Sequence, residues 1–465
     1  MRTDGTLRSF VRTALRRRGL YTSLALLALV GPLVPGAQSY KPIEKRDGST
    51  PPNILIVMTD DQRGKGTMQA LPRTKRWLET EGVEFTEAYA TTPLCCPSRA
   101  SIFSGRYVHN HGVKTNFDPS PLDQSTTIQA LLKGRGYQTA IVGKYFNLWD
   151  PEDDPPFFDR WSISRYGYYD AEFNIDGHVR RVSQYATSFI GDKSLEYLED
   201  FERDDAAPWL MFVHPTAPHA PYSPPPSGAF TPSRHWRPNP AILEADTSDK
   251  PDFITRLHAS EKRAKKLRDE QLVALAPVDV LVSDLRERLE ALDETRETLV
   301  IFTSDQGDIW GEHGRQGKRV PYLQATHVPL LMSWPGRLEG GVSDDRLVAN
   351  IDFAPTIAEA AGLEIDDDRW DGLSMLGDEE RETLLLEYYK DPRRGVLPAW
   401  KSLLTDRYQY IEYYDETGLR IAREYYDLER DPWQLTNLLG RQAGLGALSR
   451  ELRDFAICAG RNCLR

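Results

Sequence analysis

The sequence predicts an α/β fold with a mostly parallel central sheet, helices on both faces and a small C-terminal subdomain built on an antiparallel sheet. Short apolar strands alternate with helices from residue 53 onward, which is the order that covers a parallel sheet on both sides. Polar side chains follow several strands, and short tyrosine-rich runs replace the alternation after about residue 380. With 40% hydrophobic and 27% charged residues among 465, collagen, coiled-coil and wholly disordered proteins are excluded.

The elements are predicted from short-range patterns taken in chain order. The run Asn53–Thr59 is apolar and β-branched, as in a strand buried on both faces, and Gly134 and Gly362 stand where helices are expected to end. The predicted strands are Asn53–Thr59, Val83–Tyr89, Tyr137–Val142, Trp209–His214 and Leu299–Thr303. The predicted helices are Pro72–Glu81, Thr127–Lys133, Tyr185–Glu199, residues 272–292 and Ile351–Gly362.

Polar residues that follow these strands are expected to meet at one edge of the sheet, because ligand crevices in such folds lie outside the carboxyl ends of the strands. They are Asp60, Asp61, Lys144, residues 214–219, Asp305 and Gln306. A proline-rich, polar stretch at residues 218–250 predicts a long surface insertion that acts as a lid over the crevice. The basic cluster Lys262–Arg268 is interpreted as a solvated helix face.

The charge balance disfavours nucleic acid as a partner. Lys and Arg number 58 against 69 Asp and Glu, which gives a formal net charge of −11. A surface of this sign repels phosphate backbones. An anionic substrate must therefore be held by a few well-placed cations.

Residues 1–39 have the order of an export signal: the arginines 16–18, the apolar run Leu20–Val34 and then the small residues 36–39. We expect cleavage near Ala37–Ser39, with an uncleaved anchor as the alternative, followed by a polar leader at residues 40–52. The arginine pair before the apolar run fits a twin-arginine signal as well as general export. The protein is therefore expected to be secreted or extracytoplasmic, with no stable membrane span after signal removal.

The four cysteines form two pairs that are far apart in the sequence. Cys458 and Cys463 are spaced to close a short disulfide loop in an oxidising compartment, with two free thiols as the alternative. Cys95 and Cys96 are adjacent, which disfavours a bond between them. Cys95 and Cys96 therefore need an explanation other than a disulfide.

The stretch Leu94–Arg106 combines a nucleophile with a site for an anion. Pro97 suits the first position of a helix, so Cys95 is expected just before a helix N-terminus, where free N–H groups favour negative charge, and Arg99 follows one turn later. The stretch resembles the signature of type I sulfatases of the alkaline phosphatase superfamily: Cys-x-Pro-Ser-Arg, four residues, then Ser or Thr and Gly. The matching residues are Cys95, Pro97, Ser98, Arg99, Ser104 and Gly105.

The resemblance runs from Asn53 to about Leu438. It implies an alkaline phosphatase-like catalytic domain at residues 53–375, followed by the C-terminal subdomain at residues 380–465. It also implies that a formylglycine-generating enzyme oxidises Cys95 to formylglycine, whose hydrated form has two geminal hydroxyls. One hydroxyl would attack sulfur and the other would lose its proton to release sulfate, a step that an ordinary serine is unable to take.

A divalent-metal site follows from the same resemblance. The implied ligands are Asp60, Asp61, Asp305, Gln306 and the modified side chain of Cys95. Carboxylate and amide oxygens suit Ca²⁺, or Mg²⁺ as the alternative, rather than zinc. Gln306 departs from the family pattern, in which Asn or His is common at this position.

Four cationic or ionisable side chains match the sulfate-binding and catalytic residues of the family: Arg99, Lys144, His219 and Lys318. His219 is the implied general acid, since an unperturbed imidazole pKa of about 6.5 allows it to carry a proton at working pH. Lys318 is implied to lie near the leaving oxygen. The base that releases sulfate stays open, with His109 and His111 as candidates.

The sequence therefore predicts an exported, formylglycine-dependent sulfatase that acts on a sulfated sugar, a glycosaminoglycan-like chain or an aryl sulfate. Residues 143–147 and 107–111 resemble the branch that removes 6-sulfate from N-acetylglucosamine. One alternative is a phosphomonoester or phosphonate ester hydrolase of the same fold. The other is an inactive secreted protein that binds sulfated glycans. His313 is interpreted either as lining the pocket or as a loop residue without a role.

Overall fold

The structure is a computed structural model, and it describes residues 51–464 apart from positions 166, 204, 206, 227–229, 256–258, 365–367, 392 and 394–396. The predicted export signal at 1–39, and all but the last two residues of the leader at 40–52, lie outside the described residues. Within the part of the chain that is described, no helix is both long and apolar enough to cross a bilayer.

Three sheets organise the described residues. In chain order the strands are β1 Asn53–Thr59, β2 Val83–Phe85, β3 Ala88–Tyr89, β4 Gln138–Lys144, β5 Arg160–Ser164, β6 Ala171–Ile175, β7 His178–Val182, β8 Trp209–His214, β9 Thr298–Ser304, β10 Leu330–Ser333, β11 Val342–Asp344, β12 Val348–Ala349, β13 Leu384–Tyr388, β14 Ala399–Leu404, β15 Tyr408–Tyr414 and β16 Arg420–Asp427. The large sheet has the order β11-β2-β10-β9-β1-β8-β4-β5-β6-β7, β3 pairs with β12, and β13 to β16 form the third sheet.

The middle of the large sheet is parallel. Strands β9, β1, β8, β4 and β5 run in one direction, while β10 and the hairpin β6–β7 run antiparallel at the two sides. All seven residues of β1 are buried, as expected for an apolar β-branched strand covered on both faces. The predicted mostly parallel sheet is confirmed.

Helices cover both faces of this sheet. In chain order they are α1 Pro72–Thr80, α2 Cys95–Ser104, α3 Val108–His111, α4 Ile128–Lys133, α5 Ala186–Glu202, α6 Asp252–Thr255, α7 Glu261–Ala291, α8 Leu323–Thr326, α9 Phe353–Ala360 and α10 Leu445–Phe455. Met211 and Val213 of β8 point into the core beneath α1, α5 and α7. Phe212 between them points to the opposite face and contacts Phe103 of α2, which packs with α4 and α9.

The C-terminal subdomain is a four-stranded antiparallel sheet closed by α10, as predicted. The N–H of Glu387 in β13 donates to the carbonyl of Thr91 at 2.8 Å, which joins this sheet to the loop before α2. After α10, Cys458 and Cys463 are joined in a disulfide, and Cys95 and Cys96 are free thiols.

One predicted strand is wrong. Val83–Tyr89 is divided between two sheets: β2 ends at Phe85 in the large sheet, and β3 pairs with β12. Between them, the N–H of Thr86 donates to the carbonyl of Asp344 at 2.8 Å. The chain therefore changes partners within a run that the sequence predicts as a single strand.

The long helix α7 starts earlier than predicted, at Glu261 rather than at residue 272. Ser260 caps it by accepting a hydrogen bond from the first turn. The cluster Lys262–Arg268 therefore forms the first two turns of this helix. Most of its side chains are exposed or half-buried, but Arg268 is buried, with its guanidinium 5.3 Å from the ring centre of Trp236, so the solvated-face interpretation is wrong for this residue.

Candidate active site

Helix α2 carries the predicted nucleophile as its first residue. Leu94 before it is extended, with φ −142° and ψ 136°, so the helix begins at Cys95 itself and the expectation that Cys95 precedes the helix is corrected. Pro97 occupies the first turn, and Gly105 ends the helix with φ 68°. All ten residues of α2 are buried. The N–H groups of its first turn therefore lie inside the protein, where they favour an anion.

The two predicted pairs of metal ligands meet because β1 and β9 are parallel neighbours whose last residues are in register. Asp60 and Asp61 leave β1 beside Asp305 and Gln306, which leave β9. The N–H of Asp61 donates to Oδ1 of Asp305 at 3.1 Å. The Nε2 of Gln306 contacts Asp61 and lies 3.5 Å from the Sγ of Cys95. Both pairs are therefore adjacent to the predicted nucleophile.

Two of the carboxylates are paired with buried cations. The Nζ of Lys144 lies 2.6 Å from Oδ2 of Asp60, and the Nε of Arg99 lies 2.9 Å from Oδ2 of Asp305. Burial alone would raise the pKa of Asp60, but the ammonium of Lys144 lowers it to about 2. Arg99 also donates to the carbonyl of Lys144 at 2.8 Å and lies 3.3 Å from Nδ1 of His214, which gives this buried histidine a structural role.

Lys318 and His219 face the predicted nucleophile. The Nζ of Lys318 contacts Asp61 and lies 2.8 Å from the Sγ of Cys95, while Nε2 of His219 lies 3.7 Å from Oδ2 of Asp61. Burial opposes ionisation of the Cys95 thiol, but Lys144 and Lys318 hold its pKa below the usual value. Burial likewise opposes a charge on His219, but the neighbouring aspartates raise its pKa to about 9.

The donor set fits a divalent cation. Asp60, Asp61, Cys95 and His219 each offer a ligand atom, and these four atoms lie within 4.8 Å of one another. Among the described residues, Oδ1 of Asp60 and Oε1 of Gln306 are buried without a hydrogen-bond partner. Leaving such oxygens unsatisfied is costly, and hard oxygen donors are the ligands that Ca²⁺ and Mg²⁺ prefer.

A pocket of about 270 Å³ lies beside these side chains. Its lining comprises Leu94, Asn116, Phe117, Asn147, Leu148, His219, Lys318, Arg319 and Asp391. His219 and Lys318 place the pocket on the side of the nucleophile where a leaving group would lie. Asp391 follows β13, so the C-terminal subdomain contributes to the wall.

The two histidines named as candidate bases are occupied elsewhere. Nδ1 of His109 lies 2.9 Å from the carboxylate of Glu387, and Nε2 of His111 lies 3.1 Å from the hydroxyl of Ser101. Burial lowers the pKa of His111 to about 3, which keeps the ring neutral. We therefore correct the prediction for His109 and His111: both are structural residues and not candidate bases.

The insertion at 218–250 packs against the loop between Gln306 and Lys318, which we call the site loop. The Nδ1 of His313 in that loop lies 2.7 Å from the carboxylate of Glu244, and the same carboxylate binds Lys250 at 2.6 Å. Both partners of Glu244 are buried. His313 is thus neither a lining residue of the pocket nor a loop residue without a role, because it connects the insertion to the site loop.

Sequence reasoning missed most of the pocket wall. Asn147 stands three residues after Lys144, and this proximity to a recognisable motif was a usable signal. Arg319 directly follows Lys318, so the same signal was available there. Asn116 and Asp391 have no local pattern that marks them, because each reaches the pocket through the packing of a loop. Their contribution is visible only once the loops are in place.

Comparison with known proteins decides the family. The sequence model of the family described as Sulfatase matches residues 52–363, and a second model, described as N-sulphoglucosamine sulphohydrolase, C-terminal, matches residues 311–454. The chain belongs to the sulfatase family. This sulfatase is a sulfuric ester hydrolase with an alkaline phosphatase-like fold, as the signature in α2 predicts.

Its relatives confirm the branch that the sequence resembles. The sulfatase is 28% identical to N-acetylglucosamine-6-O-sulfatase of Bacteroides thetaiotaomicron, over 84% of this chain and 83% of the relative. It is 29% identical to human N-acetylglucosamine-6-sulfatase, over 90% and 86% of the two chains. A structure solved in complex with its substrate, D-glucosamine-2-N,6-O-disulfate, superimposes with a TM-score of 0.69 at 26% identity, over 88% of this chain and 97% of the other.

Proposed function

We propose that this sulfatase removes a 6-sulfate ester from a glucosamine-type residue of a sulfated glycan, using formylglycine at position 95 and a divalent metal. The observation that carries the proposal is the position of the Cys95 side chain, 2.8 Å from the ammonium of Lys318 and beside a cluster of buried oxygen ligands. Two of its relatives are N-acetylglucosamine-6-sulfatases, which supports the choice of sugar.

The reaction needs cations because a sulfate monoester is anionic and attack at sulfur moves further charge onto the leaving oxygen. Formylglycine at position 95 would supply a hydrated aldehyde with two hydroxyls, one as the nucleophile toward sulfur and one whose loss of a proton would let the aldehyde re-form as sulfate leaves. Arg99 and Lys144 hold the sulfonate oxygens at the start of α2. His219, which lies beside Asp61 and lines the pocket with Lys318, donates a proton to the departing alcohol, and Lys318 stabilises the charge that develops there.

The metal is the second element of the proposal. Asp60, Asp61, Asp305 and Gln306 would hold it, together with the modified side chain at position 95. A divalent cation at these oxygens supplies positive charge beside the nucleophile and the sulfonate group. Ca²⁺ is the proposed ion and Mg²⁺ the alternative, since both take carboxylate and amide oxygens.

We also propose that the protein works outside the cytoplasm, after removal of residues 1–39 and conversion of Cys95 by a formylglycine-generating enzyme. In the mature chain, residues 53–375 act as the catalytic domain and residues 380–465 as the C-terminal subdomain. The disulfide between Cys458 and Cys463 supports an oxidising location.

Mass spectrometry and enzyme assays test this proposal. The tryptic peptide that contains residue 95 should be lighter than its thiol form, and the protein should hydrolyse 4-nitrophenyl sulfate much faster than 4-nitrophenyl phosphate. Cys95→Ala should lose turnover while keeping the wild-type Tm. Cys95→Ser, which keeps one hydroxyl but lacks the aldehyde, should release at most one equivalent of 4-nitrophenol per enzyme. A large preference for phosphate, or full activity in Cys95→Ala, would overturn the proposed chemistry.

A further inference from the structure

The geometry points to Asn116 as a specificity residue, and we propose that its side-chain amide donates a hydrogen bond to an acceptor oxygen of the leaving-group sugar. The inference rests on the proposed function, since it concerns the alcohol part of the same substrate. It assigns a recognition role to a residue that lies outside the signature and outside the ion pairs of the site.

Asn116 is anchored to the first turn of α2. The backbone N–H of Cys96 donates to Oδ1 of Asn116 at 2.9 Å, and the backbone carbonyl of Asn116 lies 3.8 Å from the Cys96 thiol. A helix start leaves its first N–H groups without partners in the helix, so this side chain caps one of them. Because a backbone N–H only donates, the oxygen of the Asn116 amide must face the helix.

The orientation of the amide decides what the pocket wall presents. Because Oδ1 binds the helix, the polar atom that this amide has left for a ligand is Nδ2, which only donates. Asn116 lines the pocket of about 270 Å³ together with His219 and Lys318, on the side where the leaving group lies. An NH₂ group there can bind a hydroxyl, ring, carbonyl or sulfonate oxygen, all of which are acceptors. It is unsuited to an ammonium group.

Cys96 binds two loops of the pocket wall, the one that carries Asn116 and the one that carries Asn147. The backbone N–H of Asn147 donates to the Sγ of Cys96 at 3.0 Å, and Cys96 is fully buried. One buried residue thus joins the loops of Asn116 and Asn147 to the helix that carries Cys95, which fixes the donor relative to the nucleophile.

The isosteric variant Asn116→Asp tests the inference. It keeps an oxygen to cap the N–H of Cys96 but replaces the donor in the pocket with an acceptor. For N-acetylglucosamine 6-sulfate we expect KM to rise at least about tenfold with kcat nearly unchanged, because the lost contact binds substrate and transition state alike. Phenyl sulfate, which has no acceptor beyond the ester, reports the effect of the added negative charge alone. Asn116→Ala removes the cap and the donor together.

A larger KM increase for the sugar than for phenyl sulfate in Asn116→Asp, at unchanged Tm, supports the inference. Wild-type kinetics in Asn116→Asp together with impaired kinetics in Asn116→Ala would show that the side chain only caps the helix. Equal increases in KM for both substrates in Asn116→Asp would show an effect of charge alone. Either result overturns the inference. Hydrolysis of phenyl sulfate but not of the sugar by the wild type overturns it while leaving the sulfatase activity intact. If the wild type hydrolyses neither ester, the proposed function fails as well.

Discussion

At the residue scale, the site consists of buried charges that stabilise one another. Arg99 shows why the residue type matters: its guanidinium reaches Asp305 through Nε and the carbonyl of Lys144 through Nη1 at the same time. A lysine ammonium is a point charge and does not reproduce this planar pair of contacts. Oδ1 of Asp60 is buried without a hydrogen-bond partner among the described residues, so this carboxylate has an oxygen available for a metal.

Removing the charge of Asp60 tests the metal site. We expect Asp60→Asn to weaken Ca²⁺ binding by more than about tenfold in isothermal titration calorimetry, because an anionic ligand is replaced by a neutral one. Asp279→Asn is the matched control. It changes a buried aspartate of α7 in the same way, one whose carboxylate accepts hydrogen bonds from the backbone N–H groups of Arg73 and Thr74, and it should weaken binding far less. Equal affinity in Asp60→Asn and the wild type would refute the assignment of Asp60 as a ligand.

At the element scale, the end of α2 explains why the signature contains a glycine. Gly105 has φ 68°, in the left-handed region that other residues adopt only with strain. A Cβ at this position would lie 2.3 Å from Cδ1 of Trp370. The helix can therefore stop and turn beneath Trp370 only if residue 105 has no side chain.

Gly105→Ala should accordingly destabilise the protein by about 2 kcal/mol or more, from backbone strain and the clash together. Gly136→Ala is the control, because Gly136 has φ 93° but a Cβ there would meet no atom of the described residues within 4 Å. In Gly136→Ala the free energy of unfolding should fall only by the backbone strain, about 1 kcal/mol. Urea unfolding measures the free energy of unfolding of both variants. Equal losses would show that the Trp370 side chain moves aside without destabilising the protein.

At the scale of the whole molecule, a buried carboxylate joins the C-terminal sheet to the loop after Lys318. Glu424 of β16 is fully buried and accepts hydrogen bonds from Tyr426 at 2.6 Å, Tyr413 at 3.1 Å and Tyr322 at 3.3 Å. Tyr322 precedes α8 in the catalytic part of the chain. Burial raises the pKa of Glu424 to about 7 despite these donors.

This shift makes stability depend on pH. Folded Glu424 keeps its proton up to about pH 7, whereas the unfolded carboxyl loses it near pH 4.5, so the folded state binds more protons between these values. The contribution of Glu424 to stability therefore falls as pH rises from 4.5 to about 7 and is constant above that range. Glu424→Gln removes this dependence. Between pH 4.5 and pH 8, we expect the variant to gain up to about 3 kcal/mol relative to the wild type in denaturant unfolding. Parallel pH profiles for the two proteins would contradict this.

Local chemistry was sufficient to predict the sheet and the chemical centre. Each informative pattern involves only a few residues that are close in sequence. The patterns are the apolar run of β1, the polar residues after β1, β4, β8 and β9, and the signature in α2. The side chains singled out as metal ligands and cations do lie together in the structure, because the carboxyl ends of adjacent parallel strands meet at one edge. The branch of the family was also readable from short motifs.

Long-range packing set the remaining features, which no stretch of sequence encodes alone. Asn116, Asn147 and Asp391 reach the pocket from three separate loops, and His109 binds Glu387, which is 278 positions further along the chain. The strand run that starts at Val83 divides between two sheets because its first part pairs with β10 and β11, whereas its last part pairs with β12. Such contacts depend on which distant segment fills the space beside a residue. That choice is made by the total packing free energy of the folded chain rather than by local propensity.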